Sequence, residues 1–488
     1  MISLGIDIGG TGCKCVAFND EGVQLALAYR EYPLASGMAD LPPGVMMDST
    51  LEVIRECIAY LENPKEVRAM TVSSFGESFI AIGADGRPVS ESMPMYFADT
   101  ANREFFSLVE AFGKERMMRI CRIMPDAYYS LSKMLFTLRT ATVPVHKFLF
   151  VASYVCFCLC GEAVTDLSLA SRSLLLDVDR GCWSKEILDA AGIREEQLPQ
   201  LVPSGSIAGT LLPSLAGKFG LGADVKVLIG AHDQIVNALG SGVLRFGEAV
   251  DNSGTVECIT PLFPSIPESL RFHEDNYCCV PYVGDGFVTY AYNISAGSAV
   301  RWFRDAFGMG YDQLNSLCPT DPTKLMVLPF LLGMGGTPEM DQGASGAILG
   351  LRSTTRLPDL YRALLEGITY EMRYNQEKLG GHGIGFNRLY ACGGGSRSDA
   401  WMQIKADILG CELIRVDTKE TGALGSAILG LSAVCGEAPM ALSASFVRHG
   451  NCFSPDPLRH SVYNERYNQY KELRTRFKDV RFQNQNDA

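Results

Sequence analysis

The run Asp7-Ile8-Gly9-Gly10-Thr11 returns as Asp251-Asn252-Ser253-Gly254-Thr255, half the length of the chain further on. A repetition at that spacing points to a duplicated architecture. Apolar, β-prone stretches flank each copy, Ile2 to Ile8 with Cys13 to Phe18 around the first and Ala249 to Val250 with Val256 to Thr260 around the second. Each therefore reads as a β-hairpin closed by a Gly/Thr turn. Such a turn suits phosphate, because glycine lets the backbone come close and aim its N–H groups at an anion. The hydroxyl of Thr11, Ser253 or Thr255 adds a donor. Two facing turns of this kind could grip a polyphosphate between two lobes, although either copy alone could be no more than a hairpin turn.

A chain of 488 residues exceeds a single ordinary core and implies two or three domains. Its 47% hydrophobic and 20% charged residues are ordinary for a globular protein. The net charge of −12 comes with no basic run that would follow a nucleic-acid backbone, so DNA and RNA are not expected partners. The N-terminal Met1 to Asp7 lacks the basic start of a signal peptide, which predicts a cytoplasmic protein. The longest apolar run, Phe148 to Cys160, is about half a membrane-spanning length and fits a buried helix better than a bilayer segment. Of the 16 cysteines, Cys13, Cys15, Cys156, Cys158, Cys160, Cys278, Cys279 and Cys392 lie inside apolar stretches and read as core filling. The spacings match neither a zinc knuckle nor a disulfide framework, so reduced thiols are expected.

Three short strands, Ile2 to Ile8, Cys13 to Phe18 and Val23 to Tyr29, open the chain as an antiparallel meander. A helix from Met47 to Leu61 then leads to a strand at Val67 to Val72 in βαβ fashion. Helices are expected to dominate from Thr100 to Leu198. A strand at Val225 to Ile229 ends in Gly230-Ala231-His232-Asp233-Gln234, placing Asp233 at a strand C-terminus, where open α/β sheets put their chemistry. The scheme repeats from Phe246, with a helix over Asp359 to Leu379, a strand at Arg388 to Ala391, and the loop Cys392-Gly393-Gly394-Gly395. Ser398 is a fitting N-cap for a helix from Asp399 to Leu409. A strand at Leu413 to Val416 and a helix from Gly422 to Val434 follow, and the polar stretch from Arg448 onward predicts a surface helix. The expected domains are 1–245 and 246–488.

With these pieces in order, the chain resembles the FGGY family of carbohydrate kinases, within the actin-like ATPase superfamily. The resemblance runs through Asp7 to Lys14, Tyr129-Ser130-Leu131-Ser132-Lys133-Met134, Gly230 to Gln234, Asp251 to Thr255, Gly343-Ala344-Ser345-Gly346, Glu366-Gly367-Ile368 and Gly393 to Gly410. It implies an α/β fold of two ribonuclease H-like lobes with an interdomain cleft that closes over substrate. Residues 1–245 would bind sugar and carry the catalytic base, and 246–488 would bind nucleotide. The implied activity is ATP-dependent phosphorylation of a small sugar, such as a pentulose, or a polyol, with Mg2+ and without a membrane partner; a homodimer is a possible assembly.

A sugar hydroxyl is a poor nucleophile until a positioned base takes its proton, and the resemblance gives that role to Asp233. Asp7 is similar to the family's metal-associated aspartate, the one or two carboxylates through which Mg2+ commonly binds. Thr11, Gly12, Lys14, Gly254 and Thr255 are implied phosphate contacts; Gly297, Gly394, Gly395 and Asp399 are implied nucleotide contacts. For the sugar, the segment Ser73 to Ser78 carries Glu77 where glycerol kinases carry an acid, and lacks the Gln-Met-His type sequence of xylulose kinases. The family's Trp-x-Asp-x-Arg run is altered to Tyr96-Phe97-Ala98-Asp99-Thr100-Ala101. Glu77, Asp99, Tyr128, Asp233 and Gln234 are the sugar-contacting candidates, since carboxylates accept paired hydrogen bonds from diols and an aromatic ring covers a sugar's C–H face. The sugar itself stays open, and the rival readings are a non-catalytic sugar sensor and an actin-like ATPase on the same fold.

Overall fold

The computed structural model describes residues 1–33, 41–95, 102–478 and 480. Its first sheet grows outward from β1 (Ile2–Ile8), an apolar run buried almost throughout, as a strand covered on both faces must be. β1 pairs antiparallel with β2 (Gly12–Asn19), setting Asp7 opposite Lys14, and β2 pairs antiparallel with the more exposed β3 (Gln24–Glu31). After the helix Pro43–Ala59 the chain returns as β4 (Val67–Ser74), parallel to β1. The strand Lys226–His232 lies parallel to β4 and takes Ile207–Thr210 antiparallel on its other side, completing a six-stranded sheet. An antiparallel meander extended by parallel strands is the ribonuclease H-like plan.

The plan recurs in the second half. Glu248–Ser253 pairs antiparallel with Glu257–Phe263, which pairs antiparallel with Ala291–Asn293. On its other side Glu248–Ser253 runs parallel to Arg388–Cys392, followed by the parallel strand Glu412–Val416 and the antiparallel edge His449–Phe453. The helix Asp399–Leu409 links Arg388–Cys392 to Glu412–Val416; it spans the predicted residues and is N-capped by Ser398, which accepts the Trp401 N–H.

The chain forms two compact units, Met1–Leu244 with Cys279–Val288 and Glu420–Val447, and Arg245–Cys278 with Thr289–Lys419 and Arg448–Ala488. The segments 279–288 and 420–447, which a division after residue 245 assigns to the second lobe, thus pack in the first unit. The helix Thr421–Cys435 lies on β1 and β4 and against the helix Asp233–Ser241. The two helices cross at backbone contact: a β-carbon on Gly425 would fall 1.9 Å from the Val236 carbonyl oxygen, and one on Gly240 would fall 1.9 Å from that of Thr421.

Three expectations change in detail. The apolar run Phe148 to Cys160 is not one helix but a strand, Lys147–Phe150, followed by the helix Val151–Cys160, both largely buried. The strand expected to end at Ile229 continues to His232, so Asp233 opens the following helix. The C-terminal helix, Pro457–Phe477, is not confined to the surface. Tyr463, Tyr467, Tyr470 and Arg474 form a buried stripe along it, and three of these are met on the helix Leu357–Gly381, Tyr463 Oη donating to Glu366 Oε1 (2.8 Å), Tyr470 Oη to Glu371 Oε1 (2.5 Å) and Arg474 Nε to Glu371 Oε1 (2.9 Å). Tyrosine and arginine carry enough apolar surface to be buried when their polar ends are paired. All 16 cysteines are free thiols. Among the described residues no helix is long and apolar enough to cross a membrane.

Candidate active site

The β1–β2 turn places Asp7 at the end of β1 and Lys14 across from it on β2. Lys14 Nζ lies 3.4 Å from Asp7 Oδ2 and 3.0 Å from Glu420 Oε2, the residue just before the helix Thr421–Cys435. Burial disfavours the Lys14 ammonium, but the two carboxylates outweigh it and hold its pKa above the ordinary lysine value. Lys14 is therefore a fixed cation between two acids. Asp7 is shifted upward, first by burial, with Lys14 opposing and the charges of Asp233 and Glu420 adding. Thr11 is exposed on the turn. Gly12 is buried, and a β-carbon there would fall 2.5 Å from the Arg30 carbonyl oxygen, so the β2–β3 pairing itself requires this glycine.

Asp233 begins the helix Asp233–Ser241, with His232 as N-cap. His232 Nδ1 lies 3.0 Å from Asp233 Oδ1 and 3.3 Å from the Gln234 N–H; whether it donates to the first or accepts from the second depends on where the ring proton sits. Its backbone N–H donates to Ser168 Oγ (2.8 Å), and Ser168 Oγ donates to Asp166, which also receives the hydroxyl of Ser204. Burial alone would raise the Asp233 pKa, yet His232, the Gln234 N–H and Arg172 together hold it below the usual aspartate value. Gln234 Oε1 is buried without a hydrogen-bond partner among the described residues, and Asp233 Oδ1 is buried with one only when the His232 ring proton sits on Nδ1. Unmet acceptors of this kind call for a donor.

Glu77 follows β4 in the left-handed region, at φ 65°, a strained setting for a non-glycine residue. Its side chain is buried and its Oε1 accepts from Arg172 Nε at 2.5 Å. The Arg172 guanidinium lies over the Tyr129 ring, 5.0 Å from its centroid. A β-carbon on Gly76 would strike both Arg172 and His232, so this glycine lets the pair and the Asp233 neighbourhood converge. Tyr128 is exposed and edge-on to Tyr129. The carbonyls of both tyrosines accept from the fully buried Lys133 Nζ, at 2.5 and 3.1 Å. Asp99 lies outside the described residues.

In the second unit the turn after Glu248–Ser253 exposes Thr255, whose Oγ1 accepts from Arg301 Nη2 at 3.0 Å and whose carbonyl accepts the Ser298 N–H at 3.0 Å. Gly297 opens the helix Gly297–Phe307 against this turn; a β-carbon would lie 2.2 Å from the Gly254 carbonyl oxygen. Gly394 faces open space, whereas Gly395 packs on Ser253 and the Trp401 ring. Asp399 is paired with Arg415.

Asp7, Lys14, Glu77, Tyr128, Asp233 and Gln234 thus belong to the first unit, and Gly254, Thr255, Gly297, Gly394, Gly395 and Asp399 to the second. Sequence reasoning passed over Arg172, Glu420, Arg301 and Lys405. Arg172 and Lys405 carried a signal, Arg172 being the lone charge in the apolar and small-residue stretch Leu167 to Leu176 and Lys405 the lone cation in the largely apolar stretch Trp401 to Leu409. Glu420 and Arg301 carried none, because each is drawn to the site by folding.

A duplicated ribonuclease H-like plan with a Gly/Thr turn in each copy is the architecture of the actin-like ATPase superfamily. Within it, the model of the FGGY family of carbohydrate kinases matches through its N-terminal domain at residues 2–240 and its C-terminal domain at residues 281–434. The chain belongs to this family and is a carbohydrate kinase. It is 26% identical to a xylulose kinase of Bacillus subtilis over 98% of this chain and 97% of that one. It is 29% identical to a glycerol kinase of Thermococcus gammatolerans, covering 87% of this chain and 88% of the relative. The crystal structure of a ligand-bound xylulose kinase from Lactobacillus acidophilus shares the fold, with a TM-score of 0.89 at 21% identity over 98% of this chain and 99% of that one.

Proposed function

We propose that the chain transfers the γ-phosphoryl group of ATP to a hydroxyl of a small ketose, such as a pentulose, or of a polyol, with Asp233 as general base. The observation that carries the reading is the state of Asp233: a carboxyl held below its usual pKa, so ionised at neutral pH and an acceptor at both oxygens, one of them facing His232, beside the buried and unpartnered Gln234 Oε1. A sugar hydroxyl can donate to such an oxygen. As its oxygen bonds to phosphorus, the proton passes to the carboxylate. A weak base suffices, because the attacking oxygen of a loose phosphoryl-transfer transition state gains positive character late.

Glu77, Tyr128 and Gln234 are the proposed sugar contacts, with Arg172 fixing one Glu77 oxygen. Thr11, Gly12 and Lys14 in the first unit, and Gly254, Thr255, Gly297, Gly394, Gly395 and Asp399 in the second, are the proposed nucleotide residues. Asp7 fits the metal role: it is a hard oxygen donor whose own charge is opposed by burial and by Asp233 and Glu420, a situation a cation relieves. Bound there, Mg2+ would neutralise charge on the phosphate oxygens.

ADP release measured against a panel of pentuloses, hexuloses, polyols and aldonates tests the proposal. At least one ketose or polyol should stimulate release, and Glu77→Gln should weaken that compound's binding by about 1.5 to 3 kcal/mol while leaving ATP affinity in place. Stimulation by aldonates alone would remove the substrate assignment, and an unaltered Glu77→Gln enzyme would place the pocket elsewhere.

A further inference from the structure

Beneath the second turn lies a charge cluster that no step above uses. Lys405, on the helix Asp399–Leu409, is fully buried; its Nζ reaches Asp251 Oδ2 at 2.5 Å, Ser253 Oγ at 2.5 Å and Glu257 Oε1 at 2.7 Å, and sits over the Trp401 ring. Asp251 and Ser253 belong to the outgoing strand of the hairpin, and Glu257 begins the returning one. One ammonium thus clasps both arms of the hairpin at the root of its Gly254–Thr255 turn. Ser253 is also where the glycine loop crosses: β-carbons on Gly393 and Gly395 would fall 2.9 and 2.7 Å from its atoms.

Hairpins form without buried charge, and burying three ionisable groups is costly unless each is paired. Two carboxyls face one ammonium here, and Glu257 Oε2 has no hydrogen-bond partner among the described residues. The cluster is neutral only while one carboxyl keeps its proton. Glu257 is the one so disposed, pushed up to about 7 by burial first and by the Asp251 charge, against the pull of Lys405. Besides Asp251, Glu257 and Lys405, the groups facing it include the buried Cys411 thiol, pushed up to about 12 by burial and Asp251.

We infer that Lys405 is a positioning residue for nucleotide binding, holding the Ser253–Gly254–Thr255 turn to the Gly393–Gly395 loop, and that the cluster sets the charge under the phosphate. The inference rests on the reading of that turn as a nucleotide contact. It predicts that the chain binds nucleotide more weakly as pH rises through about 7, when Glu257 ionises and adds negative charge beneath an anion.

The test is calorimetric titration of MgATP into the full chain at about pH 6 and pH 8, comparing wild type, Glu257→Gln, and the neutral triple variant Asp251→Asn with Glu257→Gln and Lys405→Met. The triple variant should keep the thermal midpoint and the sugar KM but bind MgATP at least about tenfold more weakly, a penalty in the range for lost supporting contacts. Wild type should lose affinity between the two pH values by roughly threefold to tenfold more than Glu257→Gln does, the size of one partly screened charge. A folded triple variant with wild-type affinity, or Glu257→Gln tracking wild type at both pH values, overturns the inference. If the triple variant does not fold, the Glu257→Gln comparison decides alone. Wild type binding no MgATP at either pH would instead overturn the nucleotide-site reading itself.

Discussion

A β-carbon on Gly394 would meet no atom within 4 Å, whereas one on Gly395 would fall 2.7 Å from both Ser253 and the Trp401 ring. The two neighbours therefore answer the same substitution differently. Gly394→Val should leave the thermal midpoint of the free protein nearly unchanged and raise the KM for ATP well above any change in the sugar KM, because its side chain fills space that the nucleotide needs. Gly395→Val should lower the midpoint outright, by roughly the 1 to 3 kcal/mol that overpacking costs. Equal destabilisation by both would make the loop structural. From the sequence both glycines read alike, since a Gly triplet says only that the turn is tight; the partners that separate them come from another strand and another helix. The same limit held at Glu77, legible as an acid after a strand but not as half of a buried pair with Arg172, its partner being 95 residues away.

At the scale of elements, the helix Asp233–Ser241 is held by its crossing with Thr421–Cys435, where Gly425 and Gly240 let the backbones touch and Thr421 Oγ1 donates to Asn237 Oδ1 at 2.5 Å. Gly425→Val would force the two helices apart and should destabilise the protein by about 3 kcal/mol or more, read as a fall in urea midpoint at unchanged slope. It should also lower kcat at permissive temperature by shifting Asp233, and a variant with wild-type midpoint and turnover would mean that the crossing is not needed. Element identity was well marked where apolar periodicity and caps agreed, as at Asp399–Leu409. It was poorly marked where burial depended on distant partners. Tyr463 and Tyr470 read as part of a polar surface stretch because Glu366 and Glu371, which satisfy their hydroxyls, stand about a hundred residues earlier.

For the molecule as a whole, pH sensitivity should show a contribution from Lys133, whose burial lowers its pKa from 10.5 to about 8, against opposing pulls from Glu77 and Asp126. A lowered lysine pKa means that the folded state pays for a buried ammonium below about pH 8, a penalty the unfolded chain does not share. Between about 8 and 10.5 the unfolded chain binds more protons than the folded one, so stability rises with pH through that window. Urea unfolding near pH 8 and pH 10 should show this rise in wild type and a smaller one in Lys133→Met; parallel behaviour would put Lys133 outside the pH response. The duplicated plan was readable from the paired Asp7 and Asp251 turns, but not the passage of residues 420–447 into the first unit, which depends on packing against β1 and β4. The central claim, that Asp233 takes the proton from the sugar hydroxyl, is met most directly by single-turnover kinetics of Asp233→Asn with binding of ATP and sugar measured on the same protein. The amide keeps size and hydrogen-bonding reach without basicity, so both affinities should stay near wild type while the transfer rate falls by about 10² to 10⁴. A transfer rate within about threefold of wild type, at unchanged affinities, would contradict it.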